Sequence, residues 1–136
     1  MSRKGDKIKY KIQRKITVPL NVACNFKLLY DVELINLTRN NQIIISSFPY
    51  IRAKNKNVIL KNYVPIYEND EDSYTFSRKL NYGDNFIVSI DKRTTLELLS
   101  YSKNKNFILI IQDVLGQKYK YKIKRKELEL IVKNSQ

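Results

Sequence analysis

The sequence predicts an all-β fold, built from about seven to nine short, mostly antiparallel strands. Apolar residues alternate with polar ones in several separate runs of the chain. Ile, Tyr, Val and Thr, which favour strands, are abundant, and turn signals recur about every 8–14 residues. Helical periodicity is almost absent, so we expect one β-sandwich or small barrel.

The chain length is that of a single domain. It has 136 residues, of which 43% are hydrophobic, enough for a sizeable core. We predict a flexible basic tail over residues 1–6 and a single β-sandwich domain over residues 7–133.

The first predicted strands place apolar residues on one face and charged residues on the other. Residues 7–13 alternate, and residues 26–37 alternate again with Tyr30, Val32 and Leu34 directed inward. Asp31 and Glu33 then point the other way, and we interpret them as part of a solvated strand face.

The middle of the chain predicts shorter elements. Strands are expected over residues 43–51, with a bulge or sheet edge at Pro49, and over 58–60, 74–80 and 86–91. Gly83 is the residue expected at positive φ in the turn 81–84. Residues 93–100 break the alternation and predict a single helical turn or an irregular corner.

A β-hairpin is predicted over residues 107–126. An apolar run is followed by the turn signal Asp113-Val-Leu-Gly116 and then by a strictly alternating run of Lys with Tyr or Ile. Residues 127–132 alternate as well and predict a further strand.

The order of these elements resembles that of immunoglobulin-like β-sandwich domains of bacteria and their phages. The resemblance covers roughly residues 26–126 and depends on the turn and strand from Leu80 to Phe86 and on the late hairpin from Ile111 to Tyr119. It implies a single immunoglobulin-like β-sandwich. It carries no catalytic residues across, because unrelated functions share this fold. Trp and the Cys pair of antibody domains are absent from the sequence.

Positive charge is concentrated at the two ends of the chain. The formal net charge is +13, and residues 1–30 have a net charge of +7 (8 − 1) while residues 118–136 have +5 (7 − 2). Such a protein is attracted to polyanions: nucleic acid, an anionic membrane surface or an acidic protein. The same composition also fits an AT-rich genome or Lys-protected edge strands, and the sequence leaves these readings open.

Two strands with Lys on one face form the candidate binding site. If the first and last strands pair, their cations share one face, which gains by meeting an anion because like charges repel. The polyanion-binding residues predicted in this way are Lys7, Lys9, Lys11, Lys118, Lys120, Lys122, Lys124 and Arg125.

Enzymatic chemistry is not expected. The sequence has no His and only one Cys, so His-dependent nucleophile systems and a structural zinc site are excluded. No glycine-rich nucleotide loop is present, and we predict no cofactor, no catalytic residues and no metal site. The acidic segment 68–72 lacks the glycine and the distant glutamate of the familiar calcium loop and is interpreted as a flexible loop; the alternatives are a divalent-cation site and a contact with a basic face or a basic partner.

The sequence therefore predicts a small non-enzymatic binding module that engages a polyanion, with nucleic acid as the first candidate. The alternative is a protein–protein interaction module, such as a phage or mobile-element accessory or inhibitor protein, or a subunit of an assembly. No transmembrane segment or secretory signal is predicted, and we expect a cytoplasmic protein.

Overall fold

The computed structural model describes residues 8–15, 30–61, 77–101 and 105–134. Within these ranges the chain forms nine strands and two helices. Their order is β1 (Tyr10–Lys15), β2 (Tyr30–Asn36), β3 (Ile43–Ile45), β4 (Tyr50–Ala53), β5 (Lys56–Ile59), β6 (Arg78–Leu80), β7 (Asn85–Ile90), α1 (Lys92–Tyr101), β8 (Phe107–Gln112), β9 (Lys118–Ile123) and α2 (Arg125–Asn134). The fold is mostly β, as the sequence predicts.

The strands form three antiparallel sheets. The three-stranded sheet has the order β1-β2-β7, the four-stranded sheet has the order β5-β4-β8-β9, and β3 pairs with β6. The hairpin β8–β9 predicted from the sequence is confirmed, with Phe107 opposite Ile123 and Gln112 opposite Lys118.

One hydrophobic core unites the sheets with both helices. Tyr30, Val32 and Leu34 of β2 are fully buried, as predicted, and they pack in the same cluster as Leu98 of α1 and Leu128 of α2. Every second residue of the paired strands contributes, because alternate side chains point to the same face of a sheet. The core therefore fixes which faces of the two larger sheets point outward.

The predicted turn at residues 81–84 is confirmed. Gly83 has a φ of 83°, which is the left-handed region that glycine enters without steric cost. Asp84 accepts a hydrogen bond from the backbone N–H of Asn81 (2.9 Å) and closes the turn.

The prediction of one strand over residues 43–51 is wrong. The chain forms β3 and β4 instead, separated near Pro49. Proline has no N–H for a sheet ladder, which explains why the two strands join different sheets.

The prediction of a strand over residues 127–132 is also wrong, because this segment lies within α2. Leu128 and Ile131 are buried and stand three residues apart, the spacing of one helix face. Arg125 forms an ion pair with Glu129 one turn later (2.8 Å). The helical turn expected near 93–100 is correct in kind, but α1 is longer, with ten residues.

The prediction that Asp31 and Glu33 form part of a solvated strand face is wrong. They are only 7% and 8% exposed, because β2 is the central strand and is flanked by β1 and β7. Glu33 accepts a hydrogen bond from the side-chain amide of Asn85 (2.7 Å) and lies 3.7 Å from Nζ of Lys15. These partners stabilise the charge of Glu33 at its buried position.

Candidate polyanion-binding surface

The outward side of β9 presents three lysines in a row. Lys118, Lys120 and Lys122 are exposed, whereas Tyr119 and Ile123 of the same strand are fully buried in the core and Tyr121 is partly buried against it. This is the alternation that the sequence predicts for the last strand. Consecutive lysines of the row are two residues apart, or about 6.6–6.8 Å along a strand.

The strand register shows which residues lie beside these lysines. Residues directly opposite each other in an antiparallel pair share one face of the sheet. Lys122 lies opposite Ile108, which lies opposite Arg52, and Lys120 lies opposite Ile110, which lies opposite Tyr50. We name this outward side the basic sheet face; it comprises Tyr50, Arg52, Asn57, Ile59, Ile108, Ile110, Gln112, Lys118, Lys120 and Lys122.

No carboxylate balances the cations of the basic sheet face within the described ranges. The strands of the four-stranded sheet contain no Asp or Glu. The three ion pairs found among the described residues involve Arg14, Lys15 and Arg125 and none of the four cations of this face. Among the residues that the structure describes, the positive charge of this face is therefore not compensated.

The centre of the basic sheet face is apolar. Ile110 is 0% exposed although it lies on the outward side of the sheet, apart from the cluster formed by the inward-facing residues. Lys120 and Tyr50 flank Ile110 in the register, and Lys can cover apolar surface with its methylene stem while its ammonium group stays in water. Ile59, at the edge strand, remains 52% exposed.

Asp113 holds the turn between β8 and β9. Its Oδ1 accepts hydrogen bonds from the backbone N–H groups of Leu115 (3.0 Å) and Gln117 (2.9 Å), and its Oδ2 accepts one from the hydroxyl of Tyr119 (2.8 Å). The N–H of Val114 donates to the carbonyl of Ile44 (2.8 Å), which ties the turn to β3. The lysine row thus follows a turn that is held both by the carboxylate of Asp113 and by a backbone hydrogen bond to β3.

Four of the other predicted site residues lie outside the strands of the four-stranded sheet. Lys9 precedes β1, and Lys11 lies on β1 opposite Ile35, so it belongs to the three-stranded sheet. Lys124 and Arg125 come after the end of β9, and Arg125 begins α2. Lys7 lies outside the described residues.

The hypothesis that the first and last strands pair is wrong. β1 pairs with β2, and β9 pairs with β8, so the two strands are edge strands of different sheets. They are nevertheless in contact, because the rings of Tyr10 and Tyr119 meet edge to face with centroids 4.7 Å apart. Their lysines lie on the outward faces of two sheets and do not tile one face.

Basic residues near α2 have acidic partners. The guanidinium of Arg14 donates to Glu127 (2.8 Å) and lies over the ring of Tyr30, 4.7 Å from its centroid. The guanidinium of Arg125 donates to Glu129 (2.8 Å) and to the carbonyl oxygen of Leu99 (3.3 Å). These guanidinium groups hold the helix against the rest of the fold, so Arg125 is less suited to bind an external anion than the lysines of β9.

Sequence reasoning missed Arg52, Tyr50 and Ile59 as members of the basic sheet face. A signal was present for Arg52, because it stands between Ile51 and Ala53 and must point away from the core if they point inward. Its position beside the lysines depends on β4 pairing with β8, which the local sequence does not encode.

The described residues show little that would support catalysis. No group of three or more Cys, Asp and Glu side chains in the described ranges is placed to hold a metal ion. A shallow cavity of about 300 Å³ lies between β5 and the start of α1, and Asp91 at its edge accepts a hydrogen bond from the backbone N–H of Thr94 (2.8 Å) as the helix cap. The acidic segment 68–72 lies outside the described residues.

No helix in the described part of the chain is long and apolar enough to cross a membrane.

Comparison with known proteins identifies no family. No family model matches the chain, and no curated protein matches it. Among solved structures, the chain is similar to one titled as the X-ray structure of Northeast Structural Genomics Consortium target SoR45. The two are 13% identical, the match covers 86% of this chain and 82% of that chain, and the TM-score is 0.32.

Proposed function

We propose that the protein is a small non-enzymatic binding module whose basic sheet face engages a polyanion, and that the polyanion is nucleic acid. One observation carries the proposal: four cations share the outward side of one sheet, and no carboxylate among the described residues pairs with them. The net charge also allows an anionic membrane surface or an acidic protein as the partner, and the competition experiment distinguishes these alternatives from nucleic acid.

The electrostatics of the face favour an anionic partner. Neighbouring lysines on one strand repel each other, and an anion laid across the row relieves this repulsion. A nucleic-acid backbone supplies phosphates at regular intervals, which suits a row with a regular spacing. Because the cations meet phosphates and not base edges, we expect weak sequence preference.

A salt titration tests this function. Fluorescence anisotropy of a labelled oligonucleotide should show binding at low salt that weakens as salt rises. Four phosphate contacts correspond to a log–log slope of about −3 for a single strand. Binding that does not weaken with salt, or no binding at low salt, would contradict the proposal. Anionic vesicles and a polyglutamate peptide serve as competitors, and displacement of the oligonucleotide by vesicles at equal charge concentration would favour a membrane surface instead.

A protein partner is the second candidate, and the turn between β8 and β9 favours it. Val114 is 50% exposed and Leu115 is 80% exposed, on a turn held in place by Asp113. Fixed, exposed apolar side chains are typical of protein contacts. Recovery of one stoichiometric protein from the native host, resistant to nuclease and to high salt, would favour this function over nucleic-acid binding.

The immunoglobulin-like form of the sandwich, the bacterial or phage origin, the cytoplasmic location and the absence of catalysis stay predictions. The mostly β fold with antiparallel sheets supports the β-rich class of the predicted sandwich, but not its immunoglobulin-like form.

A further inference from the structure

We propose that the nucleic acid bound by the basic sheet face is single-stranded and that an unpaired base stacks on Tyr50. This inference rests on the proposed function and names its substrate class. It starts from the position of Tyr50, which lies on the same outward face as the lysines and is only partly buried. Its ring is therefore available at the surface where the phosphates would lie.

Tyr50 lies at a defined position relative to the cations. β8 separates β4 from β9, so the ring stands two interstrand spacings, about 10 Å, from the lysine row. Arg52 lies two residues further along β4 on the same face. When a backbone follows Lys118, Lys120 and Lys122, bases that are turned toward β4 come to lie on the side of the face that carries Tyr50.

The surface around Tyr50 is suited to bases. Ile110 lies between Lys120 and Tyr50 in one row across the sheet and is fully buried, and Ile59 follows on the far side of the ring. The apolar surface that a base could contact is therefore formed by Tyr50, which is partly buried, and Ile59, which is 52% exposed. Flat apolar and aromatic surface bordered by cations is the arrangement by which proteins hold single strands.

A duplex does not use this arrangement. Its bases are already paired and stacked inside the helix, so only its phosphates would meet the lysine row, and no base would stack on Tyr50. Stacking on an aromatic side chain contributes about 1–3 kcal/mol per base. We therefore expect the single strand to bind more tightly than a duplex, by a factor of about 5 to 100.

The experiment compares single-stranded and hairpin-duplex oligonucleotides of the same composition by anisotropy at one salt concentration. With the unmodified protein, the single strand should bind at least about fivefold more tightly. Tyr50→Ala should weaken single-strand binding by about 5- to 100-fold and change duplex binding by less than about twofold, whereas Tyr50→Phe should stay within about twofold for both.

Tyr82→Ala is the matched control, because Tyr82 is 53% exposed and lies at the turn 81–84, off the basic sheet face. It should leave both affinities unchanged. Equal binding of the two oligonucleotides by the unmodified protein, or equal losses for both in Tyr50→Ala, would overturn the inference while leaving salt-dependent binding, and so the proposed function, intact. Absence of any oligonucleotide binding at low salt would instead remove the proposed function itself. The ratio measured with the unmodified protein is independent of how any variant folds.

Discussion

Two buried tyrosines anchor the core through carboxylates. Tyr30 and Tyr119 are both 0% exposed, and their hydroxyls donate to Glu127 (2.9 Å) and Asp113 (2.8 Å). Burial, followed by these hydrogen bonds, raises the pKa of both phenols well above the ordinary value of 10.0. The neutral, donating form of each phenol is therefore favoured in the folded protein.

This shift predicts a loss of stability at alkaline pH. In the unfolded chain each phenol loses its proton near pH 10.0, but in the folded chain it keeps the proton to higher pH. The contribution to stability is thus complete below pH 10 and is lost as the pH rises toward the folded pKa, by about 1.4 kcal/mol per pH unit for each tyrosine. Urea unfolding of the protein and of Tyr119→Phe, measured between about pH 8 and pH 11, checks this.

The Tyr119→Phe variant tests whether the phenol of Tyr119 causes this loss of stability. Tyr119→Phe removes one titrating phenol, so its stability should fall less steeply above pH 10 than that of the unmodified protein. Parallel curves for the two proteins would show that Tyr119 is not linked to folding in this way.

At the scale of elements, the β8–β9 hairpin depends on the carboxylate of Asp113. Asp113→Ala removes three accepted hydrogen bonds and leaves the buried hydroxyl of Tyr119 without its partner. We expect the free energy of unfolding to fall by about 2–3 kcal/mol. Urea unfolding at neutral pH measures this change.

Asp84→Ala is a matched control in another turn, since Asp84 is exposed and its side chain accepts one hydrogen bond, from Asn81. It should cost about 0.5–1 kcal/mol. A loss at Asp113 no larger than the loss at Asp84 would contradict the anchoring role.

The sequence predicts some elements well because their pattern admits one interpretation. In β9, Lys alternates with Tyr or Ile over its whole length, and only a strand with one buried face fits. Leu128, Leu130 and Val132 alternate too, but Leu128 and Ile131 fit a helix as well, so alternation alone misassigned α2. The ion pair of Arg125 with Glu129, four residues later, is the signal that favours the helix.

The sequence does not predict which strands pair with each other or which charged residues are buried. Local alternation states which side chains share a face of a strand, but not which other strand lies beside it. The pattern therefore predicts the wrong neighbour for β1, and it predicts solvated positions for Asp31 and Glu33 although their strand is central to its sheet. Arg52 joined the lysines through the same long-range pairing.

At the scale of the whole molecule, the distribution of partners sorts the basic residues into two groups. Arg14, Lys15 and Arg125 pair with carboxylates and stabilise the fold, whereas the cations of the basic sheet face have no such partner among the described residues. The net charge of +13 accounts for general attraction to anions. The cations of the basic sheet face, in contrast, account for binding at one defined surface.

The most direct measurement compares two variants that have the same net charge but carry the charge reversals at different places. Lys120→Glu with Lys122→Glu reverses two cations of the basic sheet face, and Lys79→Glu with Lys133→Glu reverses two exposed lysines elsewhere. Each pair of changes lowers the net charge by the same amount, from +13 to +9 (13 − 4). Single-strand affinity and its salt dependence are then measured for both variants under identical conditions.

We predict that the Lys120/Lys122 variant loses about tenfold or more in affinity and that its log–log salt slope becomes shallower by about 1.5, or about 0.7 for each phosphate contact removed from a single strand. The Lys79/Lys133 variant should keep a slope within about half a unit of the original. Equal losses in the two variants would contradict a localised binding face, because they would show that binding depends only on net charge.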